Sequence, residues 1–426
     1  MAEQPYGRRV IDAELDELMP SLAALAIEGA KGVGKTATAL QRAGTVRALD
    51  DPAQRRIALA DPARLLDGPA PVLIDEWQYV PESWDLVRRA VDAGAEPGRF
   101  LLTGSTRPAA RGAHSGAGRI VSVRMRPLAL CERGVQAPTV SVTSLLSGGR
   151  PPVGGACGAG LEDYVREIVA SGFPGLRNLS GRARRAQMDG YLLRILDRDF
   201  QELGHAVRNP AALRRWLTAY AAASSSTASY EAIRDAATAG HGEKPAKTTT
   251  LPYRDVLERL WILDPVAAWL PTRNRIARLS QPPKHQLADP ALAARLLGVD
   301  EGALLDGRQS ASTVARDGTL LGALFESLVT LSLRTYAQAA EARVGHLRTA
   351  GGAHEVDLIL ERADGRVVAV EVKLARDVTS RDGAHLRWLA DRIGEDLLDA
   401  VILTTGPEAY RRPDGIAVVP AALLGP

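Results

Sequence analysis

The sequence contains few of the residues that mark secreted, zinc-binding or membrane proteins. It has two cysteines, Cys131 and Cys157, among 426 residues. Two cysteines are too few for a disulfide framework, and they lack the close spacing of a zinc site. No run of 18 apolar residues occurs, and the N-terminal segment carries acidic residues without an apolar core run. We therefore expect a protein of the reducing cytoplasm, with no targeting segment and no membrane contact.

The chain is also poor in net charge and in lysine. The formal net charge is +3, which is small for this length, so no field of the whole molecule attracts nucleic acid or membrane and any basic site must be local. Lysine accounts for only six of the 53 basic residues, and Lys31 and Lys35 lie in one short loop. Hydrophobic residues make up 46% of the chain, which is enough to build full cores in two to four domains.

The order of apolar segments predicts an α/β multidomain protein. Residues 1–143 alternate predicted strands and helices, which indicates a mostly parallel sheet with helices on its faces. Residues 144–160 are rich in Gly, Pro and Ser and are expected to form a flexible linker. Residues 161–280 show the 3.6-residue apolar spacing of helices, and residues 281–426 return to a small α/β pattern.

The segment "AIEGAKGVGKTATAL" predicts a phosphate-binding loop. Gly29, Gly34, Lys35 and Thr36 satisfy the pattern G-x-x-x-x-G-K-[ST] between a predicted strand and a predicted helix. Glycines let the backbone amides curl around the phosphates of ATP, Lys35 supplies a compact positive charge, and Thr36 supplies a ligand for Mg²⁺. The expected nucleotide contacts are Gly29, Lys31, Gly32, Val33, Gly34, Lys35, Thr36 and Ala37. Lys31 occupies a variable position of the motif, so a lysine without a role in binding is the alternative at this position.

Two further segments supply polar residues at strand ends. "PVLIDEWQ" ends in Asp75, expected to hold Mg²⁺ with the nucleotide, and Glu76, expected to orient and deprotonate the attacking water. "RFLLTGS" ends in Thr103, Gly104 and Ser105, where Ser105 is expected to sense the γ-phosphate. Arg119 is a candidate arginine finger, with a solvated arginine as the alternative. At the N-terminus, Tyr6, Arg8 and Arg9 either clamp the nucleotide near its adenine or lie on a helix surface.

Several segments in this order resemble a family of bacterial and archaeal ATPases that join an AAA-type P-loop domain to a C-terminal DUF4143 domain. The resemblance is carried by "GAKGVGKT", "LIDEWQYVPESW", "FLLTGST", "GRIVSVRMRPLALCE", "SGFPGL" and "LDRDF". It implies an ATPase core, a winged-helix-like helical middle and a C-terminal unit similar to the PD-(D/E)XK nucleases. The chain departs from the pattern in its loose linker and at Pro252, which lies where a recognition helix should begin.

A second group of charged residues lies in the C-terminal third. Asp357 lies in "EVDLIL", Glu371 and Lys373 lie in "VEVKL", and alternate residues of a strand share a face. A hairpin would bring Asp357 beside them, and Glu326 on the preceding helix would complete a nuclease-like Mg²⁺ site in which Lys373 assists the nucleophile or the developing charge. Two alternatives stay open: an ordinary surface charge pattern, and a nuclease-like fold that binds or scaffolds without cleaving.

The functional hypothesis is Mg²⁺-dependent ATP hydrolysis coupled to conformational change, with DNA as the expected partner. Local basic stretches at Arg177, Arg182, Arg184 and Arg185 and at residues 273–278 would neutralise phosphates, unless they are solvated faces. A homo-oligomeric ring is also expected, since AAA-type cores often take an arginine from a neighbour. The alternative hypothesis is an ATP-controlled signalling or defence switch that acts through protein partners, with a non-cleaving nuclease-like domain.

Overall fold

The computed structural model describes residues 6–106, 118–205, 207, 209–238, 247–272, 281–306 and 318–426. The helices are α1 (Ile11–Leu18), α2 (Lys35–Leu40), α3 (Pro52–Ala60), α4 (Glu82–Asp92), α5 (Val142–Ser147), α6 (Leu161–Ala170), α7 (Pro174–Arg177), α8 (Gly181–Arg194), α9 (Phe200–Glu202), α10 (Pro210–Ala222), α11 (Tyr230–Thr238), α12 (Lys247–Arg259), α13 (Pro290–Leu296), α14 (Glu301–Asp306), α15 (Gly318–Ala339) and α16 (Ala384–Ile393). The strands are β1 (Ala24–Glu28), β2 (Thr45–Ala48), β3 (Val72–Asp75), β4 (Phe100–Gly104), β5 (Val121–Arg124), β6 (Val140–Ser141), β7 (Gly155–Ala156), β8 (Ala267–Ala268), β9 (Arg343–Arg348), β10 (Glu355–Glu361), β11 (Val367–Val372), β12 (Leu397–Thr404), β13 (Glu408–Arg411), β14 (Ala417–Pro420) and β15 (Leu424–Gly425).

These elements form two compact units. The N-terminal unit comprises Met1–Pro127 and Leu257–Ile262, and the C-terminal unit comprises Leu128–Val256 and Leu263–Pro426. The expected middle and C-terminal segments therefore fall in one unit, and their division at residue 280 stays a prediction. In the stretch 144–160, expected to be a flexible linker, β7 pairs with β13 at the edge of a sheet.

The N-terminal unit is built on the parallel sheet that the sequence predicts. Its strand order is β2-β3-β4-β1-β5, and each neighbouring pair is parallel. The residues of β1, β3 and β4 are all buried, because an apolar run covered on both faces suits the middle of a parallel sheet. Trp77 and Trp84 pack in this core with ring centroids 4.8 Å apart.

The register of this sheet places three strand ends at one edge. Glu28 at the end of β1 pairs with Gly104 of β4, and Ile74 of β3 pairs with Leu102 of β4. Loops that follow parallel strands leave from the same edge, so the loop after β1, the acids after β3 and the polar end of β4 meet there. The strand order thus assembles a site from segments that are distant in the chain, such as Thr36 and Asp75, 39 residues apart, and Asp75 and Thr103, 28 residues apart.

The C-terminal unit joins helices to an eight-stranded mixed sheet. Its strand order is β7-β13-β14-β12-β11-β10-β9-β8. Strands β10 and β11 pair antiparallel, with Leu358 opposite Val370, so the predicted hairpin is present. Among the described residues from 161 to 259 the regular structure is helical, and the winged-helix interpretation of this part stays a prediction. Within the described ranges, no helix has both the length and the apolar character needed to span a bilayer.

Candidate functional site

The loop between β1 and α2 requires glycine at two positions for different reasons. A Cβ on Gly29 would lie 2.1 Å from the carbonyl oxygen of Met125, so the close approach of two backbones excludes any side chain there. Gly34 precedes α2 with φ 103°, a left-handed conformation that glycine adopts without steric cost. The loop therefore turns tightly into the N-terminus of α2, as a phosphate-binding loop must.

Lys35 is buried inside this loop rather than extended into solvent. Its side chain is 4% exposed, and Nζ donates hydrogen bonds of 3.0 Å to the carbonyl oxygens of Gly29 and Ala30. Burial lowers the pKa of Lys35 to about 8, although the nearby Glu76 and Asp75 carboxylates favour the charged form. Lys31 is partly exposed, and its charge acts in the same direction as burial on the pKa of Lys35.

Asp75 receives two hydroxyl groups on one carboxylate oxygen. Thr36 Oγ1 donates to Asp75 Oδ1 at 2.8 Å, and Thr103 Oγ1 donates to the same oxygen. Burial raises the pKa of Asp75, and the two hydroxyl groups oppose that rise. The Thr36 hydroxyl and the Asp75 carboxylate are oxygen donors of the kind that Mg²⁺ prefers, and they lie within hydrogen-bond distance of each other. This donor pair fits the expected magnesium ion.

Glu76 is held by the end of β4 and by a side chain that the sequence did not predict. Its backbone nitrogen donates to Thr103 Oγ1 at 3.0 Å, and Ser105 Oγ donates to Glu76 Oε2 at 2.8 Å. Gln78 Nε2 donates to the same carboxylate oxygen. Glu76 adopts φ 54°, an uncommon conformation for a residue with a side chain, as functional sites often show. Gln78 lies two residues after Glu76 in "LIDEWQ", and the left-handed turn at Glu76 allows it to reach back to that carboxylate.

The N-terminal residues brace the phosphate loop from the side. Arg9 is buried, and one of its guanidinium nitrogens donates to the carbonyl oxygen of Val33 at 2.9 Å. The Tyr6 hydroxyl donates to Asp12 at 2.7 Å and lies 2.9 Å from Thr38 Oγ1 on α2. Arg8 instead forms an exposed ion pair with Asp16. Of the three N-terminal candidates, Tyr6 and Arg9 therefore contact the loop and its helix.

Arg119 lies at the opposite edge of the sheet from the phosphate loop. Strand β5 runs parallel to β1 with Val121 beside Leu25, so residue 119 precedes the N-terminal end of the strand. The four residues of β5 from Val121 to Arg124 span about 13 Å between it and the end of the strand. Its Nε donates to Asp92 at the end of α4 at 2.7 Å. This position does not suit an arginine finger for the loop of its own chain, and only a neighbouring copy could receive it.

The second group of charged residues is centred on a lysine that the sequence analysis did not select. Lys284 Nζ lies 2.9 Å from Glu326 Oε1, 3.2 Å from Asp357 Oδ1 and 3.5 Å from Glu355 Oε1. Burial disfavours the charge of Lys284, but these carboxylates raise its pKa above the usual value. The scarcity of lysine was the signal in the sequence that could have indicated this residue, because Lys284 is one of only six lysines.

Glu371 and Lys373 form a separate pair beside this lysine. Lys373 Nζ lies 3.0 Å from Glu371 Oε2, and the other oxygen of Asp357 accepts a hydrogen bond from the backbone nitrogen of Val372 at 2.9 Å. Burial and the neighbouring Asp357 raise the pKa of Glu371 to about 8. Burial, followed by Asp357, also raises the pKa of Glu326 to about 8. The structure thus brings Glu326, Asp357, Glu371 and Lys373 together as the hairpin predicts.

This second cluster does not fit a divalent cation. In the described part of the chain, no group of three or more His, Cys, Asp and Glu side chains has an arrangement that could hold a metal ion. The physical reason at this cluster is that the Lys284 ammonium already lies against the oxygens of Glu326 and Asp357. The expected metal site of Glu326, Asp357 and Glu371 therefore meets a competing positive charge.

The arginines of the basic stretches differ in their exposure and in their partners. Both oxygens of Glu167 accept hydrogen bonds from Arg177, so Arg177 is part of an internal ion pair. Arg184 is partly buried, whereas Arg182 and Arg185 are exposed in the first turn and a half of α8. The stretch 273–278 lies outside the described residues.

Comparison with protein-family models identifies the parts of the chain. Residues 22–133 match the AAA domain, residues 161–303 match a domain of unknown function (DUF8612), and residues 321–424 match a domain of unknown function (DUF4143). The AAA-type P-loop domain and the C-terminal DUF4143 domain that the motifs predict are thereby confirmed. The middle match covers the predominantly helical region, and its name assigns no activity.

Curated relatives and solved structures extend this comparison without assigning a function. The uncharacterized proteins Mb2031c of Mycobacterium bovis and Rv2008c of Mycobacterium tuberculosis are each 28% identical over 367 residues, which cover 85% of this chain and 71% of theirs. The Walker-type ATPase of Pyrococcus abyssi aligns at 16% identity with a TM-score of 0.39, over 69% of this chain and 98% of its own. The replication initiator DnaA bound to AMPPCP and single-stranded DNA aligns at 16% identity with a TM-score of 0.24, over 60% of this chain and 89% of its own. Both scores are too low to carry an argument.

Proposed function

We propose that this chain hydrolyses ATP at the loop between β1 and α2. The observation that carries the proposal is the contact between Thr36 of the loop and Asp75 of β3, with Glu76 fixed beside them. Lys35 and the amides at the start of α2 would bind the phosphates. Thr36 and Asp75 would hold Mg²⁺, which supplies neutralisation of charge on the transferred phosphoryl group.

In this proposal, Glu76 orients the attacking water and accepts its proton. The carboxylate is kept in place by Ser105 and Gln78, so it needs little reorganisation during the reaction. The same contacts offer a route to conformational change. Thr103 and Ser105 at the end of β4 touch both acids, so a change at the γ-phosphate would alter the hydrogen bonds that hold β4 to β3.

The test is phosphate release by the full chain with Mg²⁺ and ATP. Glu76→Gln is expected to lower the rate roughly 100-fold or more while it retains nucleotide binding, because it removes the proton acceptor only. Lys35→Ala is expected to lose both binding and turnover. The matched control is Glu395→Gln, which makes the same change at an exposed glutamate in the C-terminal unit. Phosphate release at the wild-type rate by either loop variant would disprove the assignment.

DNA is the partner that we propose for the ATPase cycle. Support comes from Arg182 and Arg185, which are exposed together on α8. Double-stranded or branched DNA should then stimulate the ATPase steeply at low salt and less at high salt, and Arg182→Glu with Arg185→Glu should weaken that stimulation.

The second candidate is an ATP-controlled switch that acts through protein partners. The position of Lys284 among the carboxylates of the nuclease-like part favours it, because a site without a metal suits a scaffold. ATPase activity that no DNA stimulates at any salt concentration would select this candidate. Mass photometry with and without ATP would show whether copies assemble, as a finger supplied by the Arg119 of a neighbour would require.

A further inference from the structure

Backbone hydrogen bonds hold Lys284 in position independently of the contacts that its side chain makes. Its nitrogen and its oxygen exchange 2.9 Å hydrogen bonds with Val266 in an isolated antiparallel bridge. The residue is 1% exposed. A lysine on a free loop could swing away when a cation arrives, but this side chain starts from a paired backbone and runs through packed protein.

The ammonium group of Lys284 lies among three carboxylates, which come from one helix and one strand. Its Nζ donates hydrogen bonds to Glu326 of α15 at 2.9 Å and to Asp357 of β10 at 3.2 Å, and it forms an ion pair with Glu355 of β10 at 3.5 Å. The second oxygen of Asp357 is engaged by the backbone nitrogen of Val372. Both oxygens of Asp357 and one oxygen of Glu326 are therefore already bound to hydrogen-bond donors within the chain, whereas one buried oxygen of Glu371 has no such partner.

We propose that the Lys284 ammonium is the resident cation of this cluster and takes the place of a divalent metal between Glu326 and Asp357. A metal ion bound to the same oxygens would lie within a few ångströms of a positive charge that is itself buried. Without a metal to polarise a phosphodiester and activate water, the cluster does not cleave nucleic acid. The proposal does not depend on ATP hydrolysis.

Lys373 also belongs to the cluster, but it does not exclude a metal ion. Its side chain is 34% exposed and pairs with Glu371 at the solvent side. A lysine in this position is compatible with a bound metal, because it can move towards water. Lys284 therefore distinguishes this chain from one whose motif residues alone would predict nuclease activity.

The test measures Mn²⁺ binding by electron paramagnetic resonance of the free ion, with the full chain and no nucleotide. Wild type and Asp357→Asn are expected to bind Mn²⁺ equally, because the cluster takes none. Lys284→Gln is expected to gain at least tenfold in Mn²⁺ affinity, and Asp357→Asn added to it should abolish that gain. The phosphate loop is identical in all four proteins, so any ion that it binds cancels from the comparison.

Two results of the Mn²⁺ measurement would overturn the proposal. One is the loss of a Mn²⁺ site when Asp357→Asn or Glu371→Gln is made in the wild-type chain. The other is a folded Lys284→Gln protein with no gain in Mn²⁺ affinity. If Lys284→Gln does not fold, the wild-type comparison with the two acid variants decides alone. Nicking of a supercoiled plasmid with Mn²⁺ by wild type but not by Asp357→Asn would also refute it, and equal inertness of both supports it.

Discussion

Replacement of Lys284 by methionine should destabilise the C-terminal unit far more than the same replacement of Lys373. Methionine keeps most of the side-chain volume but removes the positive charge. The change at Lys284 leaves Asp357 and its neighbouring acids without their buried counter-ion, and breaking a buried ion pair from one side costs about 3–5 kcal/mol. Lys373 has one carboxylate partner and reaches solvent, so its loss should cost about 1 kcal/mol.

The assay is thermal unfolding of the full chain, followed by the transition of the C-terminal unit. At about 2 °C per kcal/mol for a unit of this size, Lys284→Met should lower the midpoint by roughly 6–10 °C and Lys373→Met by about 2 °C. A third protein tests the cause. Lys284→Met combined with Glu326→Gln and Asp357→Asn removes the acids together with the lysine, and it should recover most of the loss.

The reasoning would fail in either of two ways. Equal losses from Lys284→Met and Lys373→Met would mean that Lys284 gains nothing from burial among carboxylates. A loss that persists when the acids are neutralised would mean that the methionine disturbs packing rather than charge. Both comparisons use side chains of similar volume, so they separate the electrostatic effect from a cavity effect.

Two other predictions concern single sites in the two units. Gly29→Ala should reduce the affinity for a fluorescent ATP analogue at least tenfold, because a Cβ would lie 2.1 Å from the Met125 carbonyl oxygen and must displace the loop. The control is Gly190→Ala within α8, where an added Cβ meets no neighbouring atom and the backbone is helical. His346 is 2% exposed, and burial lowers its pKa from 6.5 to about 4, so the unfolded chain binds its proton first as the pH falls. The stability that it contributes is present above pH 6.5 and is lost between pH 6.5 and 4, by about 3 kcal/mol, and urea titrations should show a shallower pH dependence for His346→Gln. An unchanged pH dependence in that variant would contradict the assignment.

The nucleotide site was predictable because its parts are either contiguous or fixed by simple sheet rules. The residues from Gly29 to Thr36 form one strand-loop-helix segment, so local spacing determines their geometry. Asp75 and Thr103 come from other strands, but both follow apolar runs of a parallel sheet, whose ends must share an edge. Gln78 was not predicted because its role depends on the left-handed turn at Glu76, which no pattern of residue types indicates.

The direction of a parallel strand also explains why Arg119 was a weak candidate. An arginine near a predicted strand says nothing about function until its end of the strand is considered. Residue 119 precedes β5, whereas the phosphate loop follows β1, and the two strands are parallel. The sequence contained this information, because a parallel arrangement was predicted. Applying it would have placed Arg119 at the edge away from the loop and left only a neighbouring chain as its target.

Lys284 could not have been placed from the sequence, and it changes the interpretation of the C-terminal part. The hairpin of β10 and β11 is local, so alternation within two strands was enough to bring Asp357 and Glu371 together. The lysine is positioned beside them by a single bridge to Val266, which lies 18 positions earlier in the chain and follows no periodic pattern. Motif residues show which metal ligands a site contains. The positive charge that lies among those ligands can instead be a lysine from another part of the fold. A nuclease-like set of acids therefore indicates catalysis only after every buried cation within reach has been located.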